Sequence, residues 1–298
     1  MVAPAPVSGA FVDARQVRRA FSRAAAGYDD AAQIDREIGR RMLERLDYVK
    51  IAPSCILDLG CGSGAAALAL QQRYPQARML AVDSAEGMLR QGRQAGRALR
   101  WLLPFVRTKG AQRLCADAAA LPLPAASTEF VWSNLMLPWV DDPLPVLREA
   151  HRVLATDGLL MFTTFGPDTL RELRAAFDDG GVHTQRFADM HDLGDMLVES
   201  GFADPVMDME MLTVTYDSVD ALVAELRATG ATCAMADRRR GLMGKRAWQA
   251  MRAAYEAMRR DGRLPATLEV IYGHAWRATP KKTADGRAIV RLDFPKKG

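Results

Sequence analysis

Three glycines, Gly60, Gly62 and Gly64, follow the apolar run Cys55-Ile56-Leu57-Asp58-Leu59 and lead into an alanine-rich stretch. A strand that passes through glycine into a helix brings bare backbone and a helix N-terminus close to a ligand, because glycine turns without a Cβ clash. That is the chemistry of a nucleotide-type site. A second apolar run, Met79-Leu80-Ala81-Val82, ends in Asp83, 19 residues after Gly64, where a carboxylate accepts hydrogen bonds from both ribose hydroxyls. The glycine spacing is G-x-G-x-G with Asp58 ahead of it, and not the G-x-G-x-x-G of a pyrophosphate loop. Asp117, Ser133 and Asn134 follow or end two further apolar runs, at the carboxyl edge where open sheets bind ligands.

These residues need a scaffold that aligns strand ends. Strands expected at 55–59, 77–82, 112–116, 129–133 and 158–165 alternate with helices at 65–73, 85–96 and 143–153. Such alternation predicts an α/β doubly wound, mostly parallel sheet with right-handed crossovers. Helices at 167–177, 190–200, 219–229 and 245–260 and strands at 206–216 and 268–277 follow, which brings the sheet to seven strands. Ahead of the core, helices are expected at 13–26, ended by Gly27, and at 30–49, with Ile34, Ile38, Met42, Leu43 and Leu46 on one stripe. Two segments break the pattern. The hydrophobic stretch 98–110 reads as a surface helix, a lid or an interface, and 231–244 is a polar loop containing Arg238, Arg239 and Arg240.

Composition narrows the function. The four cysteines form no C-x-x-C pair, which points to reduced thiols and a cytoplasmic protein, and the four histidines form no metal-ligand spacing. No run approaches the roughly 18 apolar residues of a membrane span. The first ten residues carry two prolines and no basic n-region, and read as a disordered lead over 1–12 instead of a signal peptide. The net charge of +4 equals the surplus of residues 279–298, where six Lys/Arg face Asp285 and Asp293. The remaining charge is balanced, which argues against a nucleic-acid partner.

The G-x-G-x-G loop with Asp58 and Asp83 resembles motif I of the class I S-adenosyl-L-methionine (SAM) methyltransferases. The resemblance implies SAM as cofactor. It implies contacts from Gly60, Cys61, Gly62 and Gly64, with Cys61 acting through its backbone, and further contacts from Asp58, Asp83, Ser84 and Met88. Asp117 would accept from the adenine amino group, the Ala118 N–H would meet a ring nitrogen, and backbone carbonyls at Ser133 and Asn134 would hold the methionine ammonium.

A narrower family shows in the segment from Arg18 to Asp29, taken with Trp132-Ser133-Asn134-Leu135, Phe162-Thr163-Thr164-Phe165 and the Gly230-Ala231-Thr232 turn. Together these resemble the malonyl-acyl-carrier-protein O-methyltransferases of biotin synthesis, from about residue 16 to residue 276. The resemblance implies cap helices over 13–50, a SAM-dependent methyltransferase domain over 51–278 and a basic tail over 279–298. Tyr28, the candidate catalytic residue, would face the methionine half of SAM or the substrate carboxylate, and Arg23 would pair with the methionine carboxylate. Trp139 would wall the substrate cavity or serve packing alone.

A malonyl thioester ends in a carboxylate of pKa about 3 to 4, already a nucleophile at neutral pH. No general base is needed; the site must exclude water and orient one oxygen toward the sulfonium methyl. The expected partner is an acyl carrier protein, or coenzyme A, bearing the malonyl group. A carrier protein is acidic, and Arg238, Arg239, Arg240, Lys245 and Arg246 are its candidate docking patch. Three alternatives stand beside this reading: a quinone or other small-molecule methyltransferase, a non-enzymatic scaffold, and a protein-arginine hydroxylase like the respiratory complex I assembly factor, which the chain resembles over Phe165 to Arg174.

Overall fold

The computed structural model of the protein describes residues 12–92 and 110–279. The lead up to residue 11, the insertion up to residue 109, the end of the helix expected at 85–96 and the tail from residue 280 lie outside the described residues. Strands β1 (Cys55–Leu59), β2 (Arg78–Asp83), β3 (Gln112–Cys115), β4 (Thr128–Asn134) and β5 (Leu154–Phe165) pair in parallel. Strands β6 (Ala203–Tyr216) and β7 (Leu264–Arg277) join antiparallel, giving the seven-stranded order β3-β2-β1-β4-β5-β7-β6.

The pattern of β1 shows why it lies inside the sheet. All five residues are buried, and successive side chains enter different cores, Ile56 on one side and Leu57 on the other. Strand β6, at the sheet edge, instead alternates, with Val206, Met209 and Met211 exposed. Helices α4 (Ala65–Arg73), α5 (86–92) and α6 (Pro143–Val153) follow β1, β2 and β4 as crossovers. Because β1 is flanked by β2 on one side and β4 on the other, the strand order reverses at β1 and leaves a crevice at the strand carboxyl ends.

The N-terminal helices cover that crevice. Asp13 starts α1 (Ala14–Ala24) by accepting from the Arg15 and Gln16 N–H groups, both at 3.1 Å. The single helix expected at 30–49 is broken. Ala32, 1% exposed with φ −79° and ψ 50°, separates α2 (Tyr28–Ala31) from α3 (Gln33–Arg45), and a 3₁₀ turn, Leu46–Tyr48, ends the segment. The break lets Tyr28 reach back to Asp35 (Tyr28 OH to Asp35 Oδ2, 2.7 Å).

The helix expected at 167–177 shrinks to α7 (Arg171–Ala176). Its first residues form a turn that docks on β7: the Gly166 N–H donates to the Glu269 carbonyl, the Asp168 N–H to the Glu269 carboxylate and the Leu170 N–H to the Thr267 carbonyl. Tertiary hydrogen bonds outcompete the helix there. Helices α8 (Met190–Glu199), α9 (Val219–Ala228) and α10 (Lys245–Glu256) complete the layers.

Candidate active site

The loop after β1 is built from its glycines. Gly60, Gly62 and Gly64 have φ of +77°, +52° and +91°, a region that favours glycine. The Gly60 and Cys61 N–H groups both donate to the Val82 carbonyl at 2.8 and 3.0 Å, which ties the loop to β2. A Cβ on Gly62 would meet only Tyr28, at 3.9 Å, so this stretch of backbone borders open space. Asp83 accepts from the Gly62 N–H at 2.9 Å and the Ala85 N–H at 2.7 Å. Burial raises its pKa, and those two N–H groups oppose the rise.

A cavity of about 330 Å³ occupies the crevice. Of the residues singled out in the sequence, Tyr28, Gly60, Gly62 and Asp83 line it, as do Ser84, Met88 and Asp117. Ala118, Asn134 and Trp139 complete that group. Asp58, Cys61, Gly64 and Ser133 sit close by but outside the lining; the Ser133 hydroxyl donates to the Leu59 carbonyl at 2.9 Å. Arg23 is exposed on α1 and also outside the lining.

The five basic candidates lie away from the cavity walls. Arg238 pairs with Asp13 at 3.4 Å and Arg239 with Asp179 at 3.6 Å, whereas Arg240, Lys245 and Arg246 are exposed beside Leu242, which is 96% exposed.

The electrostatics favour a cationic ligand. Asp58 is 2% exposed, its Oδ2 has no hydrogen-bond partner, and burial with the nearby Asp83 pushes its pKa up to about 7. Asp35 is likewise raised by burial, opposed by the hydrogen bond from Tyr28. Burial and then the Asp35 charge lift the Tyr28 phenol well above its ordinary range, so it stays protonated and its one proton goes to Asp35. Burial and the charges of Asp58 and Asp83 also push the Cys61 thiol up, which removes it as a nucleophile.

Three contributors have no role assigned to them from the sequence. Asp35 lines the cavity, and its carbonyl accepts from Asn134 Nδ2 at 2.9 Å. The Thr163 hydroxyl donates to Asn134 Oδ1 at 2.7 Å and accepts from the Leu135 N–H at 3.0 Å, fixing Leu135 at φ +55°. Arg113 donates to the Ser63 carbonyl at 3.1 Å, and its charge opposes the rise in the Asp58 pKa. An acid on the apolar stripe of Ile34 and Ile38 is the available signal for Asp35; Thr163 stands in the Phe162-Thr163-Thr164-Phe165 segment that carries the family resemblance, with no role attached to it, and Arg113 carries no signal.

A methyltransferase-domain family model matches residues 57–162, from β1 into β5. The chain is 50% identical over 287 residues to the malonyl-[acyl-carrier protein] O-methyltransferase of Gallionella capsiferriformans (strain ES-2), covering 95% of this chain and 97% of that one. It belongs to that family. The malonyl-[acyl-carrier protein] O-methyltransferase of Laribacter hongkongensis (strain HLHK9) is 51% identical over 291 residues, covering 95% and 96% of the two chains. The crystal structure of the YcgJ protein of Bacillus subtilis matches the fold of this methyltransferase with a TM-score of 0.59 at 15% identity, over 81% of this chain and 100% of that one. Among the described residues of the methyltransferase, no group of three His, Cys, Asp or Glu is placed to hold a metal ion. No described helix is long and apolar enough to cross a membrane.

Proposed function

We propose that the protein converts the free carboxylate of a malonyl thioester, carried on acyl carrier protein, to its methyl ester with SAM as methyl donor, an early step of biotin synthesis. The observation that carries this reading is the 50% identity across 95% of the chain to a protein bearing that activity in its name. The site agrees with it. SAM supplies an electrophilic methyl on a sulfonium and carries an ammonium, and a cavity lined by Asp35 and Asp83, with the unpartnered Asp58 Oδ2 buried behind it, suits such a cation.

In this reading Asp83 accepts from the ribose hydroxyls and the 60–64 backbone borders the methionine portion. Met88, Asp117 and Ala118 frame the adenine, while Ser84 lies between those groups. The carbonyls at Ser133 and Asn134 and the Tyr28–Asp35 pair meet the ammonium end. Because the Tyr28 proton is committed to Asp35, its oxygen presents lone pairs to the cavity, which favours a role beside the cation over one beside the substrate carboxylate.

The acceptor carboxylate is ionised at neutral pH, so the protein contributes desolvation and alignment and no base. Trp139, packed edge-on to Phe21 at 5.0 Å, walls the acceptor side. The exposed Arg240, Lys245 and Arg246 around Leu242 offer an acidic carrier a docking patch. A cytosolic setting fits four free cysteines, of which Cys115 is exposed.

Incubation with SAM and malonyl-carrier protein, followed by mass spectrometry, tests the reading. A methyl ester at the distal carboxylate is expected, and modification of a quinol or a protein arginine in its place would contradict it.

A further inference from the structure

A second cavity of about 210 Å³ adjoins the first, and Asp35, Trp139, Phe165, Thr229 and Ala231 line both. Its walls are mainly apolar, from Ile34, Leu173, Phe177, Phe187, Leu226 and Trp248. Most polar groups in them are spent on the protein. Gln185 bridges the Pro138 carbonyl and the Ala234 N–H at 2.9 and 2.8 Å, the Thr169 hydroxyl bonds to the backbone of Glu269, and the Thr229 hydroxyl donates to the Glu225 carbonyl.

Arg227, in the last turn of α9, is the exception. It lines this cavity, is exposed to solvent, and its guanidinium forms no hydrogen bond or ion pair with any described residue. Three arginines that follow it in the chain are paired: Arg238 with Asp13, Arg239 with Asp179 and Arg252 with Asp220. A cation that the fold leaves unused, at the rim of a narrow apolar chamber, matches a ligand with a slender body and an anionic outer end.

We propose that this chamber takes the pantetheine arm of the thioester substrate, and that Arg227 binds the phosphate at the outer end of that arm. The inference rests on the malonyl-thioester reading above. Of the two anionic ends of such a substrate, the carboxylate must be shielded from water beside the first cavity, so the exposed Arg227 falls to the phosphate. A planar guanidinium suits phosphate oxygens, which it can engage with two parallel N–H donors. The chamber wall also runs on through Cys233 into the basic loop, so an acidic carrier docked there would lead its arm past Arg227.

The test compares kcat/KM for malonyl-phosphopantetheine and malonyl-pantetheine, which lacks the phosphate, in the wild type, Arg227→Ala and Arg227→Lys. The wild type should prefer the phosphorylated arm by about tenfold or more, as for a charge-assisted hydrogen bond. Arg227→Ala should bring the ratio close to one with an unaltered Tm, and Arg227→Lys should recover part of it. A wild type without the preference, or a preference that survives in Arg227→Ala, overturns the assignment while leaving the malonyl-thioester reading in place. A wild type that methylates no malonyl thioester at all overturns both.

Discussion

At the scale of single residues, the cavity is a place where carboxyl groups are held out of water at a cost that a cation offsets. Asp83 is the plainest case, because its oxygens already accept two backbone N–H groups and it lines the cavity. Replacing it with Ala removes a charge-assisted acceptor of roughly 1.5 to 3 kcal/mol, so SAM affinity measured by calorimetry should fall about 10- to 150-fold.

Asp58 gives a pH signature. Its pKa of about 7 lies above the ordinary 3.8, so the folded chain binds more protons than the unfolded chain between those values. Stability from this group is therefore complete below pH 4 and lost as pH rises through 7. Asp58→Asn should flatten that part of the Tm-against-pH curve of the free protein. A bound cation lowers the same pKa, so SAM affinity should rise with pH up to about 7 and level off above, with proton release visible as a buffer-dependent binding enthalpy.

At the scale of elements, the N-terminal helices are held in register by two close approaches. A Cβ on Gly87 in α5 would lie 2.7 Å from the Ser22 backbone, and one on Gly230, at φ +76°, would lie 3.2 Å from Phe21. Gly87→Ala should push α1 away from the cavity, costing about 1 to 3 kcal/mol of stability as overpacking does, and SAM affinity should fall with the shift in Tm.

The elements also show how far sequence alone reaches. Strand β1 and helices α4 and α6 have the expected bounds, because a mostly apolar run, Gly64 and Pro143 mark them locally. The break at Ala32 and the turn before α7 were not legible, since side-chain and tertiary hydrogen bonds that no local pattern marks decide them: Tyr28 reaching Asp35 across the break, and Glu269, far along the chain, receiving the 166–168 backbone. Strand β7 starts at Leu264 instead of residue 268 for the same reason, its early residues being fixed by pairing with β6. Gly60, Gly62 and Asp83, which type and spacing group together, line one cavity. Asp35 acquires meaning only once the fold buries it beneath Tyr28.

At the scale of the whole molecule, the cavity and the second chamber share a wall, and Thr232 and Cys233 at the start of the basic loop line the second. The loop's charges do different work. Arg238 is tied to Asp13, the residue that starts α1, so its loss should lower stability. Neutralising the exposed Arg240, Lys245 and Arg246 together should instead raise KM for malonyl-carrier protein and blunt its salt dependence, with a smaller effect on malonyl-coenzyme A. Steady-state kinetics across ionic strength would check this, and equal losses on both thioesters would place these residues in the fold.

The central claim is that the acceptor arrives as a carboxylate and the protein orients it without a base. The most direct measurement is kcat from pH 6 to 8 at saturating SAM, with malonyl and acetyl thioesters compared on the same carrier. A nearly flat profile is expected for malonyl, whose carboxylate with a pKa of about 3 to 4 is ionised throughout, and no methylation of acetyl. A malonyl rate that climbs about tenfold per pH unit, or a methylated acetyl thioester, would contradict it.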